Sequence, residues 1–167
     1  MNRRTAFGCG MLLLCAACQT DTLFHQYLPT GVRGWAQEDT LEFRLPSLTD
    51  SISYRLEVGV KHTEDYPYQN IWIGVLRPQG HTDTLQLRLA DTSGHWRGTG
   101  MSGSSFQCVS ESVPFTPAPG DTLLRVVQLM RDRLLPGITD IGLRLSAFPS
   151  RVNPQEDKQQ DGETPQR

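Results

Sequence analysis

The 167-residue chain is short of usable cysteine, of long apolar runs and of any strong excess of charge. Cys9, Cys15 and Cys18 crowd the N-terminus, and Cys108 stands alone in the rest of the chain. A lone thiol cannot close an internal bridge, so no disulfide framework is expected and stability must come from packing. Cys108 reads as a small buried hydrophobe rather than a nucleophile, because apolar surroundings raise a thiol's pKa and make it inert. The longest apolar stretch, Ala6 to Ala17, falls short of the roughly 20 residues that a membrane-crossing helix needs. The formal charge is −2, which gives no reason to expect nucleic acid as a partner.

Signatures of chemistry are equally thin. There is no G-x-S-x-G nucleophile elbow and no glycine-rich loop followed by Lys-Ser/Thr. Gly98-Thr99-Gly100-Met101-Ser102-Gly103 fits G-x-G-x-x-G. No strand–turn–helix context surrounds it, so a loop between strands is expected in place of a nucleotide site. His25, His62, His81 and His95 are scattered, with no metal-ligand spacing. His62, Glu64, Asp65 and Asn70 cluster ligand types, but the pattern of a calcium loop is missing, and solvated loop charges are expected. No carboxylate pair stands out. The expectation is a protein without catalytic residues, metal or cofactor.

The N-terminus carries the strongest signal present. Arg3 and Arg4 precede the Leu-rich stretch, Ala16 and Ala17 precede Cys18, and acidic residues appear only after it. This order suits an export signal cleaved between Ala17 and Cys18, with Cys18 taking a diacylglyceryl thioether. It is similar to a bacterial lipobox, except that Cys15 stands where leucine is usual. An ordinary secretory signal cleaved near Ala17 is the rival reading. Residues 1–17 are then the signal peptide, and residues 18–30 a lipidated linker into the first strand. Loss of Arg3 and Arg4 leaves 14 basic and 18 acidic residues, a net charge of −4. Gln19 follows Cys18 in place of the aspartate that retains some lipoproteins in the inner membrane, which favours the outer membrane, facing the periplasm. Residues 149–167 are so polar that they cannot offset their chain entropy by burial, and read as a disordered tail.

Between these ends, residues 31–148 read as a single all-β domain, an antiparallel β-sandwich of immunoglobulin-like or jelly-roll-like type. The dominant period is two. Ile52, Tyr54, Leu56, Val58 and Val60 alternate with Ser53, Arg55, Glu57, Gly59 and Lys61. Leu41-Phe43-Leu45, Leu85-Leu87-Leu89 and Ile141-Leu143-Leu145 alternate in the same way. Ile71 to Leu76 is apolar on both faces apart from Gly74 and reads as a central strand, which puts Trp72 in the core. Thr122 to Leu134 fits either a helix or a strand. Val126-Val127 and the neighbouring strands favour a strand pointing Leu124, Val126, Gln128 and Met130 inward, with a short turn or helix over 131–135.

The most unusual stretch is Asp65-Tyr66-Pro67-Tyr68-Gln69-Asn70. Two tyrosines bracket a proline that fixes a turn, with a cis bond tolerated before it. Asp65, Tyr66, Tyr68 and Asn70 form a candidate interaction loop, since exposed aromatics on a rigid turn bind at low entropic cost. The competing expectation is that both rings close the end of the sandwich.

The run Leu56–Val75 resembles the core motif of the gliding-motility lipoprotein GldH family of Bacteroidota. Further matches follow in order: Thr82–Leu85, Leu89–Asp91 with Gly94, Trp96 and Gly98, Gln128–Arg131, Leu135–Ile138 and Asp140–Arg144. Upstream, Gly34-Trp35 and Glu38-Asp39 also fit. The resemblance spans roughly Phe24 to Leu145. It implies a non-catalytic lipoprotein of the cell envelope, lipidated at Cys18, supporting gliding or type IX secretion with other envelope proteins as partners. A carbohydrate-binding module is the rival from another class, and would show itself as a flat exposed aromatic platform.

Overall fold

The computed structural model describes residues 21–49, 52–100 and 105–148. The signal peptide, Cys18 and the tail 149–167 lie outside the described residues, as do positions 101–104 of the glycine-rich run. Every regular element described is a strand. In chain order they are β1 (Thr22–Pro29), β2 (Trp35–Ala36), β3 (Leu41–Arg44), β4 (Tyr54–Thr63), β5 (Asn70–Leu76), β6 (Thr82–Arg88), β7 (Thr99–Gly100), β8 (Ser105–Val109), β9 (Val113–Phe115), β10 (Leu123–Gln128), β11 (Leu134–Leu135) and β12 (Ile138–Ala147).

All pairings are antiparallel. One sheet runs β1-β12-β4-β8-β7, with β9 also pairing β4. The second runs β3-β10-β5-β6, and β2 and β11 make a small ribbon. The period-two stretches decide which face of each strand goes inward. Leu56, Val58 and Val60 of β4 pair across the sheet with Leu145, Leu143 and Ile141 of β12, and all six are buried. Ile71, Ile73 and Val75 of β5 and Leu124 and Val126 of β10 are buried in the second sheet. Each such side chain contributes about 1.5–3 kcal/mol on burial, and together they form one sandwich core.

Several sequence expectations need correction in detail. The ordered sheet begins at Thr22, inside the segment read as linker, because β1 pairs with β12 along its length. Tyr27 explains why that edge holds. It lies over the facing glycines Gly59 and Gly142, where a Cβ at Gly142 would come within 2.6 Å of its ring. Lys61 Nζ sits 4.4 Å from the ring centroid on the same face. Ile52 precedes β4 and is exposed. Trp72 is not in the core: it points away from the sandwich and is 40% exposed. The ambiguous 122–134 segment is a strand over Leu123–Gln128, with Leu124, Val126 and Gln128 buried and Met130 partly so. A bend and β11 follow, with no helix. Thr99-Gly100 of the glycine-rich run forms β7 against β8, so the run's described part belongs to a sheet edge and not to a helix start.

Candidate functional site

The sandwich has two unlike ends. β1, β4 and β10 bring Thr22, Tyr54 and Leu123 to one end; Pro29, Thr63 and Gln128 reach the other. We call these the Thr22 end and the Pro29 end. The candidate loop falls at the Pro29 end, where β4 hands over to β5.

Tyr66 is 2% exposed, and its hydroxyl donates to the Asn70 carbonyl at 2.9 Å. Its ring meets Tyr68 edge-on at 5.7 Å and leans toward His62 at 6.1 Å. Burial pushes its phenol pKa far up. Tyr66 therefore closes the sandwich, one of the two rings of which the competing expectation held this. Tyr68 is half-buried, and its hydroxyl donates to Asp132 Oδ2 at 2.5 Å, a bond that raises its pKa. Asp65, Pro67 and Gln69 are exposed and Asn70 is half-buried. The bond before Pro67 is trans.

Two neighbouring segments hold the loop. Gly137 has φ +79°, and a Cβ there would stand 2.5 Å from the Tyr66 backbone nitrogen. Only glycine allows this approach, which also lets Thr63 N donate to the Gly137 carbonyl at 2.8 Å. Gln128, 2% exposed, clamps the bend after β10. Its Nε2 donates to the Asp132 carbonyl and its Oε1 accepts from Met130 N, both at 2.8 Å. That clamp places Asp132 under Tyr68.

His62 sits behind the loop, facing inward and fully buried. It is surrounded by the rings of Tyr66, Trp96 and Phe106, Trp96 approaching to 4.6 Å. Nδ1 lies 3.1 Å from the Thr63 carbonyl, which requires the hydrogen on Nδ1. Nε2 is buried without a partner among the described residues, and burial lowers the imidazole pKa. Among the described residues, no group of three His, Cys, Asp or Glu comes close enough to hold a metal ion. Cys108 is buried with its pKa raised by burial.

Sequence reasoning missed two features of this end. The first is the Gly31–Gly34 turn, closed by Gly34 N to the Gly31 carbonyl at 2.9 Å. It projects Val32, fully exposed, and Arg33. With Thr63, Asp65 and Pro136–Thr139 it lines an open cleft of about 460 Å³. The second is an apolar platform on the outer face of the second sheet. Trp72 and Leu129 are 40% and 44% exposed, and Leu129 N donates to the Trp72 carbonyl at 2.9 Å. Gly74 gives room beside them: a Cβ there would touch Val127 and Leu129 at 3.2 and 3.3 Å. A usable signal existed in the alternation of Ile71, Ile73 and Val75, which leaves Trp72 and Gly74 on the opposite face.

Comparison with known proteins adds sequence relatives. The model of the GldH lipoprotein family matches residues 22–145, from the first residue of β1 to near the end of β12. A relative in Flavobacterium johnsoniae, "Gliding motility lipoprotein GldH", is 29% identical, covering 81% of this chain and 94% of its own. A "Gliding motility lipoprotein GldH homolog" in Christiangramia forsetii is 25% identical, covering 80% and 89%. Among solved structures, a chain of Tomato aspermy virus overlaps 81% of this chain and 82% of its own, at 12% identity and a TM-score of 0.33, too slight a likeness to bear on fold or function. With a family model matched across the whole sandwich and relatives that align over most of their length, this chain belongs to the GldH lipoprotein family.

Proposed function

We propose that the protein is a non-catalytic lipoprotein of the cell envelope that supports gliding motility or the type IX secretion machinery, held by lipid on Cys18 to the outer membrane and facing the periplasm. The observation that carries this reading is the family match over residues 22–145, with relatives named for gliding motility. The order Arg3-Arg4, apolar stretch, Ala16-Ala17-Cys18 supports the anchor. Thr22 stands only four positions after Cys18, so lipid there keeps the Thr22 end close to the bilayer. At about 3.3 Å per residue, the eight residues of β1 carry the Pro29 end roughly 26 Å further out. Through its exposed Asp65 and half-buried Tyr68 and Asn70, with Tyr66 buried beneath them, the loop is then offered to partners away from the membrane. Anchoring raises the domain's effective concentration near them.

The test is complementation of a deletion strain with wild-type protein or Cys18→Ala, scored for spreading and for export of type IX cargo, with crosslinked envelope complexes recovered from each. Recovery of motility or secretion components with wild type and their loss with Cys18→Ala is the expected result. Normal spreading and export in the deletion strain would remove the reading.

One observation favours a second reading. Trp72 lies exposed on a sheet face, and an exposed aromatic ring is what a carbohydrate-binding module stacks sugars on. Quenching of tryptophan fluorescence by envelope glycans, lost in Trp72→Ala, would support it.

A further inference from the structure

Some arginines of the sandwich are paired and some are not, and the exposed Arg44 at the Thr22 end is, among the described residues, in no salt bridge. Toward the Thr22 end, Arg77 pairs with Asp83 at 2.7 Å and Arg144 with Glu57 at 3.4 Å, and midway along the second sheet Arg125 pairs with Glu42 at 2.9 Å. Around the Trp72–Leu129 platform, Arg88, Arg131 and Arg133 are exposed, and among the described residues none has a carboxylate within salt-bridge distance. Arg88 pairs in register with Asn70, which puts it diagonal to Trp72 on the same face. Arg131 and Arg133 flank Asp132, whose Oδ2 is already taken by Tyr68. The result is an exposed Trp and Leu on one sheet face, with Arg88 diagonal to Trp72 and with Arg131 and Arg133 exposed in the bend that follows Leu129.

We infer that this face (Trp72, Leu129, Arg88, Arg131 and Arg133) docks an acidic segment of a protein partner. The inference rests on the envelope role proposed above and names the surface and partner chemistry for it. Charge complementarity carries the choice. Acids outnumber bases in the chain, yet among the described residues three arginines on this side of the fold are in no salt bridge. Carboxylates pair with arginine as a planar fork, and Trp and Arg are the side chains that anchor protein interfaces. A lipid surface fits less well, because the face lies at the end remote from Cys18. A neutral glycan would stack on Trp72 but leave the arginines without countercharge.

The test uses the full-length lipidated protein in cells, with the photocrosslinker p-benzoylphenylalanine placed at Trp72 or Leu129, and at Gln79 or Thr82, exposed positions of the Thr22 end. Adducts from the first pair should exceed those from the second by about fivefold, and mass spectrometry should find them on Asp/Glu-rich peptides of one envelope protein. Arg131→Glu with Arg133→Glu should lower the yield by about tenfold, and Arg131→Lys with Arg133→Lys by about threefold, because lysine keeps the charge but not the planar fork. Unchanged melting temperatures show that both double variants fold. Adducts confined to Gln79 and Thr82 would overturn the docking face and leave the envelope role standing. Adducts on lipopolysaccharide or another anionic glycan would overturn the protein partner. If neither these positions nor the Cys18-dependent recovery yields a protein, the inference and the proposed function both fall.

Discussion

The two ends of the sandwich are closed by different physics. At the Thr22 end, charge does the closing. Asp83 takes Arg77 at 2.7 Å and His81 at 3.0 Å, and Arg77 lies 4.6 Å over the Phe115 ring while donating to the Thr116 carbonyl. One guanidinium thus ties the β5–β6 hairpin of the second sheet to β9 of the first. At the Pro29 end, rings and glycine turns do the closing: Tyr66, His62, Trp96 and Phe106 pack under turns seated by Gly34 and Gly137. Its buried polar side chains are held by hydrogen bonds, two of them made by Gln128, except that His62 Nε2 has no partner among the described residues. The end closed by rings leaves Arg88, Arg131 and Arg133 outside any salt bridge among the described residues, whereas the stapled end pairs Arg77 with Asp83 and leaves Arg44 exposed without a salt bridge.

The sharpest way to break the comparison uses two glycines of similar conformation. Gly137 and Gly80 have φ of +79° and +83°. A Cβ on Gly80, in the turn of the Thr22 end, meets nothing within 4 Å, whereas one on Gly137 meets the Tyr66 backbone. Gly80→Ala should therefore cost only the conformational term, about 1 kcal/mol. Gly137→Ala adds displacement of the Tyr66 loop and should cost about 3 kcal/mol or more by denaturant unfolding. Equal costs would show that the Pro29 end yields more freely than its packing implies.

A second pair separates the two kinds of staple. Gln128→Leu keeps the volume but leaves Met130 N and the Asp132 carbonyl unpaired, which should cost about 2 kcal/mol. Hydrogen exchange should rise over 129–135 and the Tyr68 loop. Arg77→Ala removes a partly exposed ion pair and a ring contact, and should cost about 1 kcal/mol. Raising salt should narrow the gap between Arg77→Ala and wild type, because surface ion pairs are screened. It should leave the Gln128→Leu gap unchanged. A salt-sensitive Gln128→Leu effect would assign the bend's stability to charge.

These differences were unevenly legible in the sequence. The inner faces of β4, β5, β10 and β12 follow from alternation, because burying one side of a strand forces period two. β1 escaped because a register shift between Thr22 and Phe24 breaks its alternation, and its aromatic covers glycines on the outer face. Trp72 was misplaced because a run apolar on both faces was read as wholly buried, although the alternation of Ile71, Ile73 and Val75 sets Trp72 on the opposite face from theirs. The Tyr66–Tyr68 motif was visible as unusual, but its division into one closing ring and one tethered ring depends on Asp132 and Gly137, some 64 and 71 residues on, and no local pattern encodes that meeting. The unpaired arginines were visible as residues, while their lack of partners is a property of the fold.

The smallest expected effect is a slope. Burial among rings lowers the folded-state pKa of His62 below its ordinary value of 6.5. The folded protein thus favours the neutral ring, with Nε2 bare, while the unfolded chain takes up a proton near pH 6.5. Stability from this group is fully present above that pH and is lost as pH falls through it, because the unfolded state then binds more protons. His62→Phe keeps a ring to stack on Phe106 and to meet Trp96 edge-on, but cannot titrate. Its melting temperature at pH 7.5 should stay near wild type, and the wild-type decline between pH 7 and pH 5 should flatten. Asp91, whose pKa is lowered chiefly by its Ser93 hydrogen bond, contributes only in the carboxylate range below that window. Subtracting the two curves isolates the imidazole. An unchanged slope in His62→Phe would mean that the cluster opens enough to let the proton in, and the contrast between a ring-closed end and a charge-closed one would lose its basis.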